Sequence, residues 1–372
     1  MTLGIDARLW SQTGVGRYIR NLTINLSEID KNNSYVLFVL KSDKKEVEEK
    51  IKNKEWKIVT ANLKWHSIKE QLRFPGIIKK EKVDLMHFPY FSIPVLYRKP
   101  YVVTIHDLIF HHYVSGASST LPLWLLGFKV IAYRIVVANA ARVSRKIIAV
   151  SDFTKKDIVD TLKTNKSKIE VIYEAADDLK NSGKKEEDIK NYFFYVGNVF
   201  AHKNVGLLLE AFKNLSKIDP SLNLVFVGNN DFLYKKLKDH VKKNFKEGRV
   251  HFLENVSDER LSGLYRGAIA LVRTSLMEGF SLPPLEALEN NCLVLASDIP
   301  VHHEIFGDSI IYFDHYRSDD ILSKMKYVLS LDFQEKEKLI KKGVMQANKY
   351  SWKKTAQQTL RIYNTFSNNT RE

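Results

Sequence analysis

The segment YFFYVGNVFAHKNVGLLLEAF, residues 192–212, contains the change of period that decides the fold. An apolar run of strand length ends at Gly197, and after a short loop apolar residues recur at helical spacing. Val205, Leu208, Leu209 and Phe212 mark the inner face of this amphipathic helix. A buried strand followed by a helix is a βα unit, and a series of such units forms a parallel sheet covered by helices on both faces.

Further strand-like runs divide the chain into two series of similar size. Besides the strand-like start MTLGIDARLW, the first series comprises residues 35–40, 83–88, 101–107 and 146–151. The second series comprises residues 192–197, 222–228, 250–253, 268–275 and 292–298. The charged, apolar-poor stretch 177–190 separates them and is predicted to be a linker.

These series predict an α/β protein with two Rossmann-like domains, residues 1–180 and 181–350, that face each other across a cleft. Ligands of such sheets gather at the carboxyl ends of the strands. The final segment, residues 351–372, has a helical pattern after a predicted cap at Ser351 but no strand of its own. We therefore expect it to cross back and pack on the first domain.

The composition is that of a globular protein, with 44% apolar and 27% charged residues among 372. The start lacks the basic and then apolar pattern of a signal peptide. A single cysteine, Cys292, excludes an internal disulfide and fits a reducing compartment. These features predict a cytoplasmic protein.

The net charge of +15 is unevenly distributed. Residues 1–180 contain 30 Lys and Arg against 19 Asp and Glu, whereas residues 181–372 contain 28 against 24. The basic first half favours an anionic partner, such as a membrane surface, nucleic acid or a phosphorylated acceptor. A Lys-rich proteome is the alternative explanation. Because no nucleic-acid recognition motif is present, no nucleic-acid partner is expected.

The most apolar window, residues 121–141, is interrupted by Lys129 and Arg134. These two charges make it a poor transmembrane span. It is predicted to be a buried helix of the first domain. The alternative is an exposed face that either docks on lipid or admits a lipid-linked acceptor. Docking on lipid would place the protein peripherally at the inner face of the membrane.

Two glycine-bearing loops could contact phosphate groups. Gly14 and Gly16 lie between the first strand and a helix, where glycine lets a loop pass close to a ligand. A plain tight turn is the alternative there. In the second loop Lys203 and Asn204 open a helix, and a Lys beside a helix N-terminus suits a diphosphate. A solvated Lys at a helix start is the alternative.

His106 and Asp107 follow a predicted strand end. With His111 and His112 they could form a metal site, but their spacing matches no common metal motif. A structural histidine and a ligand-facing histidine that hydrogen-bonds a substrate are the other two interpretations.

The segment EGFSLPPLE places Glu278 in a loop and Glu286 in the first turn of the helix that follows. Pro283 and Pro284 suit that first turn. One acid before a helix and one on it do not flank a single bond as the carboxylates of a glycosidase do. The arrangement favours two contacts on one elongated ligand; the alternative is two acids stabilised at a helix N-terminus.

This segment resembles the signature of retaining glycosyltransferases of family 4, which have the GT-B fold. Further motifs follow in the family's order over nearly the whole chain, including LGIDAR, TIHDLIFHHY, YVGNVFAHKN, VSDERLSGLYRGA and SDIPVHHEIFGD. The nearest resemblance is to mannosyltransferase-like enzymes of polysaccharide assembly.

The resemblance implies roles for individual residues. His106, Lys203 and Glu278 would be catalytic: His106 near the reacting carbon, Lys203 on the donor diphosphate and Glu278 on the donor sugar. Glu286 would bind the ribose, and residues 252–256 would border the base. The donor-binding residues that the resemblance implies are Gly14, Gly16, Asn198, Lys203, Val256, Glu278, Gly279, Phe280, Ser281, Leu282 and Glu286.

The chain also departs from the family pattern. Asn198 stands where many relatives have an Arg, and Ala201 and His202 replace a Pro-Arg pair, so diphosphate binding is expected to depend more heavily on Lys203. Glu254 and Asn255 replace a turn that often contains Gly. This last departure leaves the nucleotide open, with GDP-mannose the first expectation and a UDP-sugar the second.

The resemblance implies a retaining, metal-independent transfer of a hexose from a nucleotide-sugar to a glycan or lipid-linked acceptor. No cofactor or metal is expected, because protein cations and helix N-termini would stabilise the leaving diphosphate. The alternatives are another GT-B enzyme, such as an epimerase or a phosphorylase, and a non-catalytic basic protein that binds membranes or nucleic acid.

Overall fold

The structure is a computed structural model that describes residues 1–113, 122–177, 188–245 and 248–367. These residues form two compact units. The first comprises Met1–His112, Pro122–Glu174 and the C-terminal segment from Ser351, and the second comprises Tyr113 and the residues from Ala175 to Tyr350. Most of the predicted linker, together with the predicted boundary at residue 180, lies outside the described residues.

The first unit contains a parallel sheet, with seven strands in the described residues and the order β3-β2-β1-β4-β5-β6-β7. The strands are β1 (Thr2–Asp6), β2 (Ser34–Val39), β3 (Lys57–Thr60), β4 (Leu85–Phe88), β5 (Tyr101–Ile105), β6 (Lys146–Ala149) and β7 (Ile169–Val171). The helices are α1 (Gly14–Ile29), α2 (Lys44–Lys50), α3 (Ile68–Lys80), α4 (Ile109–His112), α5 (Leu123–Val143) and α6 (Asp152–Leu162).

The C-terminal helix also belongs to the first unit, as predicted. This helix, α14 (Trp352–Ser367), begins directly after Ser351. The Ser351 Oγ accepts a hydrogen bond from the Lys354 amide at 3.3 Å. The Tyr363 hydroxyl lies 2.5 Å from His87 Nδ1 on β4, and the Thr355 hydroxyl donates to the Tyr173 carbonyl at 2.7 Å. The last five residues of the predicted helix lie outside the described part of the chain.

The second unit contains a parallel sheet, with six strands in its described residues and the order β10-β9-β8-β11-β12-β13. The strands are β8 (Tyr192–Val196), β9 (Asn223–Val227), β10 (Val250–Leu253), β11 (Ala270–Arg273), β12 (Val294–Ser297) and β13 (Ile311–Phe313). The helices are α7 (Val205–Ile218), α8 (Phe232–Asn244), α9 (Asp258–Gly267), α10 (Leu282–Glu289), α11 (Pro300–Phe306), α12 (Ser318–Ser330) and α13 (Phe333–Ala347).

All ten strand-like runs of the sequence coincide with strands of the structure. The three strands that the analysis missed are β3, β7 and β13, which have three or four residues each and lie at sheet edges. An edge strand has one neighbour and buries fewer side chains, so its sequence lacks the continuous apolar run of a central strand. The predicted inner face of α7 is confirmed, because all four of its apolar residues are buried.

The prediction of a buried helix at residues 121–141 is wrong. Helix α5 exposes large apolar side chains, among them Trp124 at 65%, Phe128 at 66% and Ile131 at 57%. Only its C-terminal part, with Val137, Ala140 and Ala141, packs into the core of the first unit. Within the described residues it is the one helix long and apolar enough to cross a membrane by length and composition.

Candidate functional site

The strand order of the second sheet reverses between β8 and β11, which are hydrogen-bonded neighbours. At such a switch point the connections leave in opposite directions, and a crevice opens at the carboxyl ends of the two strands. The loop after β8 contains Lys203, and the loop after β11 contains Glu278. The topology therefore brings together two residues that lie 75 positions apart in the sequence.

Lys203 and Glu278 form a buried ion pair in this crevice. Lys203 lies at the end of a 3-10 turn, Ala201–Lys203, and helix α7 begins two residues later. Its Nζ donates to both carboxylate oxygens of Glu278, at 2.9 and 2.8 Å. The two side chains are 7% and 5% exposed, so water screens the pair little. Ser275 also donates to Glu278 Oε1, at 2.6 Å.

Arg273 is a third charged member of this cluster, and the sequence analysis missed it. It ends strand β11, is 4% exposed, and donates to Glu278 Oε1 from Nε at 2.8 Å. Its Nη2 lies 2.6 Å from the same oxygen, and its Nη1 donates to the Val196 carbonyl at the end of β8 at 2.9 Å. Arg273 therefore spans the switch point.

The three side chains form what we call the cationic triad: Arg273, Lys203 and Glu278. Two cations share one anion, so the triad carries one excess positive charge in a buried crevice. Burial alone would raise the pKa of the Glu278 carboxyl, but Arg273 and Lys203 outweigh burial and hold that pKa well below its usual range. Glu278 is therefore ionised and accepts hydrogen bonds, which makes it unsuited to act as a general acid.

Two histidines beside the triad are neutral at pH 7. Burial, followed by the charge of Lys203, lowers the pKa of His202 to about 3. Burial lowers the pKa of His302 on α11 to about 4. His302 Nδ1 lies 2.8 Å from the Ser297 carbonyl and so donates to it, which leaves Nε2 as an acceptor. That Nε2 is buried and has no hydrogen-bond partner among the described residues.

The loop between β11 and α10 places a further unpaired polar atom nearby. Ser281 precedes α10 with φ of 81°, a left-handed conformation that is uncommon for residues other than glycine. Its Oγ makes no cap hydrogen bond and is buried without a partner among the described residues. Gly279 is also buried, and the Phe280 ring packs edge-on against Tyr350 at 5.7 Å. A buried hydroxyl without a partner at a helix start is a group that a ligand can satisfy.

Helix α10 begins at Leu282 and, as predicted, has proline in its first turn. The prediction that Glu286 lies in that first turn is wrong, because Glu286 is the fifth residue of the helix and lies in its second turn. Glu286 is 3% exposed, and its Oε2 accepts a hydrogen bond from the Tyr265 hydroxyl of α9 at 2.8 Å. The sequence analysis did not single out Tyr265.

Asn198 lies in the loop after β8. Its carbonyl accepts a hydrogen bond from the Tyr195 hydroxyl at 2.6 Å, while its side-chain Oδ1 is buried without a partner in the described residues. Gly197 precedes it with φ of 131°, and a Cβ on Gly197 would lie 3.1 Å from Arg273 Nη1. The loop therefore needs glycine both for its backbone conformation and to leave space for the guanidinium.

Val256 lies between β10 and α9, in the turn that the sequence analysis assigned to the base of a nucleotide. Asn255 adopts φ of 51° there. Asn tolerates this left-handed conformation better than most residues, so it suits a position where the family pattern often has Gly. Glu254 forms an ion pair with Lys238 on α8.

The remaining predicted site residues lie in the first unit. His106 follows β5, with Nδ1 2.8 Å from Glu174 Oε1 and Nε2 2.9 Å from the Pro89 carbonyl. Both partners are acceptors, so both ring nitrogens carry a proton. Burial opposes the charged form, but the hydrogen bond and charge of Glu174 prevail and raise the pKa of His106. A contact between His106 and a sugar stays a prediction.

Gly14 and Gly16 lie in the first turn of α1, not in a loop ahead of it as predicted. A Cβ on Gly16 would lie 2.5 Å from the Trp10 carbonyl and 2.8 Å from the Leu9 carbonyl. Gly16 therefore allows the chain after β1 to pass against the helix. A Cβ on Gly14 would meet no atom within 4 Å.

The histidines that follow β5 have separate partners. His111 Nδ1 lies 3.0 Å from the Tyr133 hydroxyl, and His112 Nε2 lies 2.8 Å from Asp157. Within the described residues, no group of three or more His, Cys, Asp or Glu side chains could hold a metal ion. These side chains thus do not converge on one point.

Comparison with known proteins identifies the family. The model of glycosyl transferases group 1 matches residues 176–345, and the model of glycosyltransferase family 4 matches residues 12–178. The chain is 30% identical over 251 residues to the O-antigen chain mannosyltransferase RfbU of Salmonella typhimurium. This alignment covers 67% of this chain and 66% of RfbU. It is 36% identical over 143 residues to the serotype-specific mannosyltransferase WbdA of Escherichia coli. This alignment covers 37% of this chain and 17% of WbdA.

The alignments thus span less than two thirds of these relatives. Among solved structures, Alr3699/HepE of Anabaena in complex with UDP-glucose superposes with a TM-score of 0.75 at 15% identity, over 98% of this chain and 100% of HepE. That identity supports the fold alone. Two parallel α/β sheets, the two family matches and the mannosyltransferase relatives agree: the chain belongs to the group 1 glycosyltransferases, with the GT-B fold and a family 4 N-terminal domain.

Proposed function

We propose that the protein transfers a mannosyl residue from GDP-mannose to a glycan or lipid-linked acceptor in the assembly of a surface polysaccharide, with retention of configuration. The names of the relatives support the sugar and the type of product. One structural observation carries the proposal: a buried cationic triad lies where a doubly wound sheet binds its ligand.

The excess charge of the triad matches a diphosphate. Lys203 and Arg273 are both cationic and buried, and one carboxylate neutralises only one of them. A nucleoside diphosphate bound at this end of the sheet supplies the missing negative charge. Backbone N–H groups at the start of α10 add donors for phosphate oxygens.

Arg273 takes the place of the second cation that the loop after β8 lacks. That loop has Asn198 and His202 where the family pattern has Arg, and His202 is neutral because it is buried. Arg273 reaches the end of β8 from β11, as its contact with the Val196 carbonyl shows. We propose that Lys203 and Arg273 together bind the diphosphate, which adds a second cation to the Lys203 that the sequence analysis emphasised.

Glu278 suits a contact with the donor sugar better than it suits covalent catalysis. Four donor contacts converge on Oε1, from Lys203, Ser275 and both Nε and Nη2 of Arg273, whereas Oε2 accepts from Lys203. Oε2 retains the capacity to accept a hydrogen bond from a sugar hydroxyl. A carboxylate held by two cations is a weak nucleophile, so we assign no covalent intermediate to it.

The chemical step follows from the charges. The bond between the anomeric carbon and the phosphate oxygen breaks, and Lys203 and Arg273 stabilise the negative charge that develops on the diphosphate. The acceptor hydroxyl attacks the same face of the sugar, and its proton passes to the leaving phosphate oxygen. In this proposal the protein cations perform the charge stabilisation, so no metal participates. Glu286, held by Tyr265, binds the ribose.

The proposal is tested by incubating the purified protein with GDP-mannose, UDP-glucose and ADP-glucose, with and without a mannosylated polyprenyl-diphosphate oligosaccharide. We expect release of GDP from GDP-mannose, faster when acceptor is present, and an α-linked product by NMR. EDTA is expected to leave the rate unchanged. Turnover of UDP-glucose but not GDP-mannose would overturn the choice of donor while leaving the reaction class intact.

Variants connect the activity to the site. We expect Lys203→Met and Arg273→Met each to lower kcat/KM by about 10²-fold or more, since each removes a preorganised charge. Lys341→Met and Arg317→Met are matched controls, because both cations are more than 60% exposed in surface ion pairs. If the buried and exposed variants turn over the donor alike, the triad is not the donor site. If no nucleotide-sugar binds the unchanged protein, the proposal fails and a non-catalytic role takes its place.

A further inference from the structure

One face of the first unit collects its exposed apolar side chains. In the described part of that unit, every large hydrophobic residue that is more than a third exposed lies on α3, on α5 or in the loop between β4 and β5. They are Ile68, Leu72, Leu96, Trp124, Leu125, Phe128, Ile131 and Ile135, with exposed fractions from 37% to 79%. We call this set of residues the apolar face. Large apolar side chains that are exposed together on a few elements are typical of an interaction surface.

Helix spacing shows how α5 contributes. Trp124, Phe128, Ile131 and Ile135 are separated by four, three and four residues and so form one line along the helix. The end of α5, around Val137 and Ala140–Ala141, is built into the core of the unit. This anchoring presents the line of apolar residues as a fixed ridge on the surface of the folded unit.

The loop between β4 and β5 connects the two helices. The Val95 amide donates to Gln71 Oε1 on α3 at 2.8 Å, and the Val95 carbonyl accepts from Asn139 Nδ2 on α5 at 3.3 Å. Leu96 is the next residue and is 69% exposed. The loop that carries Leu96 therefore ties α3 to α5, the two helices that carry the other exposed apolar residues.

The exposed charges on the two helices have one sign. The exposed cations are Lys69, Arg73, Lys79, Lys80, Lys129, Arg134 and Arg142. Glu70 is the one acid within the described residues of both helices, and it is buried and paired with Arg8 at 2.6 Å. An apolar ridge flanked by cations without exposed acids complements a surface that is apolar beneath and anionic above.

We propose that the apolar face docks the protein on an anionic lipid bilayer, with Trp124 and Phe128 among the acyl chains and the cations of α3 and α5 at the lipid phosphates. A second copy of this chain fits the face less well. A two-fold contact would bring the same cations together without an acid to pair with them. A membrane span fits less well too, since the end of α5 belongs to the protein core.

The experiment is co-sedimentation of the full-length protein with vesicles of phosphatidylcholine alone and with added phosphatidylglycerol. We expect binding to the anionic vesicles, at least ten-fold tighter than to neutral ones and weakened by salt. Trp124→Ser combined with Phe128→Ser is expected to weaken it at least ten-fold. Lys129→Gln combined with Arg134→Gln is expected to reduce the preference for anionic lipid.

Phe333→Ser is the matched control, because Phe333 is 80% exposed in the second unit. It is expected to bind vesicles like the unchanged protein. Circular dichroism and the melting temperature show whether each variant is folded. The proposal would be overturned if the double variant of Trp124 and Phe128 bound anionic vesicles as tightly as the unchanged protein does. The proposal would also be overturned if the unchanged protein does not bind vesicles and light scattering shows a dimer that this double variant abolishes. None of these readings depends on glycosyl transfer.

Discussion

Replacing Glu278 by Gln separates the structural and functional roles of the cationic triad. The substitution keeps the shape of the side chain but removes the negative charge between Lys203 and Arg273, which are 7% and 4% exposed. Removing one partner of a buried ion pair destabilises a protein by about 3–5 kcal/mol, because the other charge stays buried without compensation. For a unit of this size, that loss lowers the melting temperature by about 6 °C or more.

The matched control is Glu254→Gln, which removes an acid from the Lys238 pair. That pair is about 30% exposed on both sides, and an exposed pair contributes less than about 1 kcal/mol. Urea unfolding and differential scanning calorimetry measure both variants. If Glu278→Gln destabilises the protein no more than Glu254→Gln does, the triad is not the buried ion cluster that the distances describe.

Ligand binding to the same variant tests the function. With Glu278 neutral, the site carries two uncompensated cations, so we expect GDP to bind at least as tightly as it binds the unchanged protein. GDP-mannose should lose its advantage over GDP, because the acceptor for the sugar hydroxyls is weakened. Isothermal titration calorimetry measures both affinities. Weaker binding of GDP by the variant would refute the assignment of the triad to the diphosphate.

The pH dependence has a definite sign. The pKa of Glu278 is lower in the folded protein than the ordinary value of 4.5. Its stabilising contribution is therefore fully present above about pH 4.5 and is lost as the pH falls toward the folded pKa. The difference in unfolding free energy between the unchanged protein and Glu278→Gln is expected to shrink when urea unfolding is repeated below pH 4.5.

Three further outcomes are expected. Arg273→Lys should keep part of the affinity for GDP that Arg273→Met loses, since Lys keeps the charge but not the contacts with both Glu278 and the Val196 carbonyl. Titration calorimetry measures both affinities, and equal losses in the two variants would exclude a charge effect. Glu174→Gln should lower the pKa of His106, which NMR titration measures. The variant should destabilise the protein most below about pH 6.5, and the loss should fade as the pH rises through the raised pKa of His106 in the folded protein. A destabilisation that does not change with pH would contradict a charged His106. Gly16→Ala should destabilise the protein by about 1–3 kcal/mol through overpacking, whereas Gly14→Ala, with space around it, should be neutral or stabilising; equal urea midpoints would show that the carbonyls near Gly16 move aside.

Periodicity was sufficient to predict the fold because both sheets are parallel and mostly buried. Central strands of such sheets are continuous apolar runs. The ten runs that the sequence shows are present in the described residues as all nine central strands and the edge strand β10. Helix α5 is the failure of the same reasoning. A long apolar helix has one composition whether it is buried in a core or exposed to another surface, and the sequence window contains no separate signal for the two cases.

The candidate site was predictable where a loop motif marks it and not where a strand carries it. Lys203 and Glu278 lie in loops with recognisable spacing. Arg273 lies inside the run AIALVRTS, which was assigned to a buried strand, and a lone Arg in such a run could equally be an edge position. Its role depends on which strand is its neighbour, and strand order is not visible in a single sequence.

The position of Arg273 shows why strand order matters for function. Strands β8 and β11 are neighbours at the switch point, so residues just past their ends occupy the same small space although they are far apart in sequence. A cation needed in that space can be supplied by either strand. The loop after β8 has Asn198 and a neutral His202, and β11 ends in an Arg whose Nη1 contacts the last residue of β8. A substitution that removes a cation from one phosphate-binding motif is therefore to be judged together with the strand end that packs beside that motif.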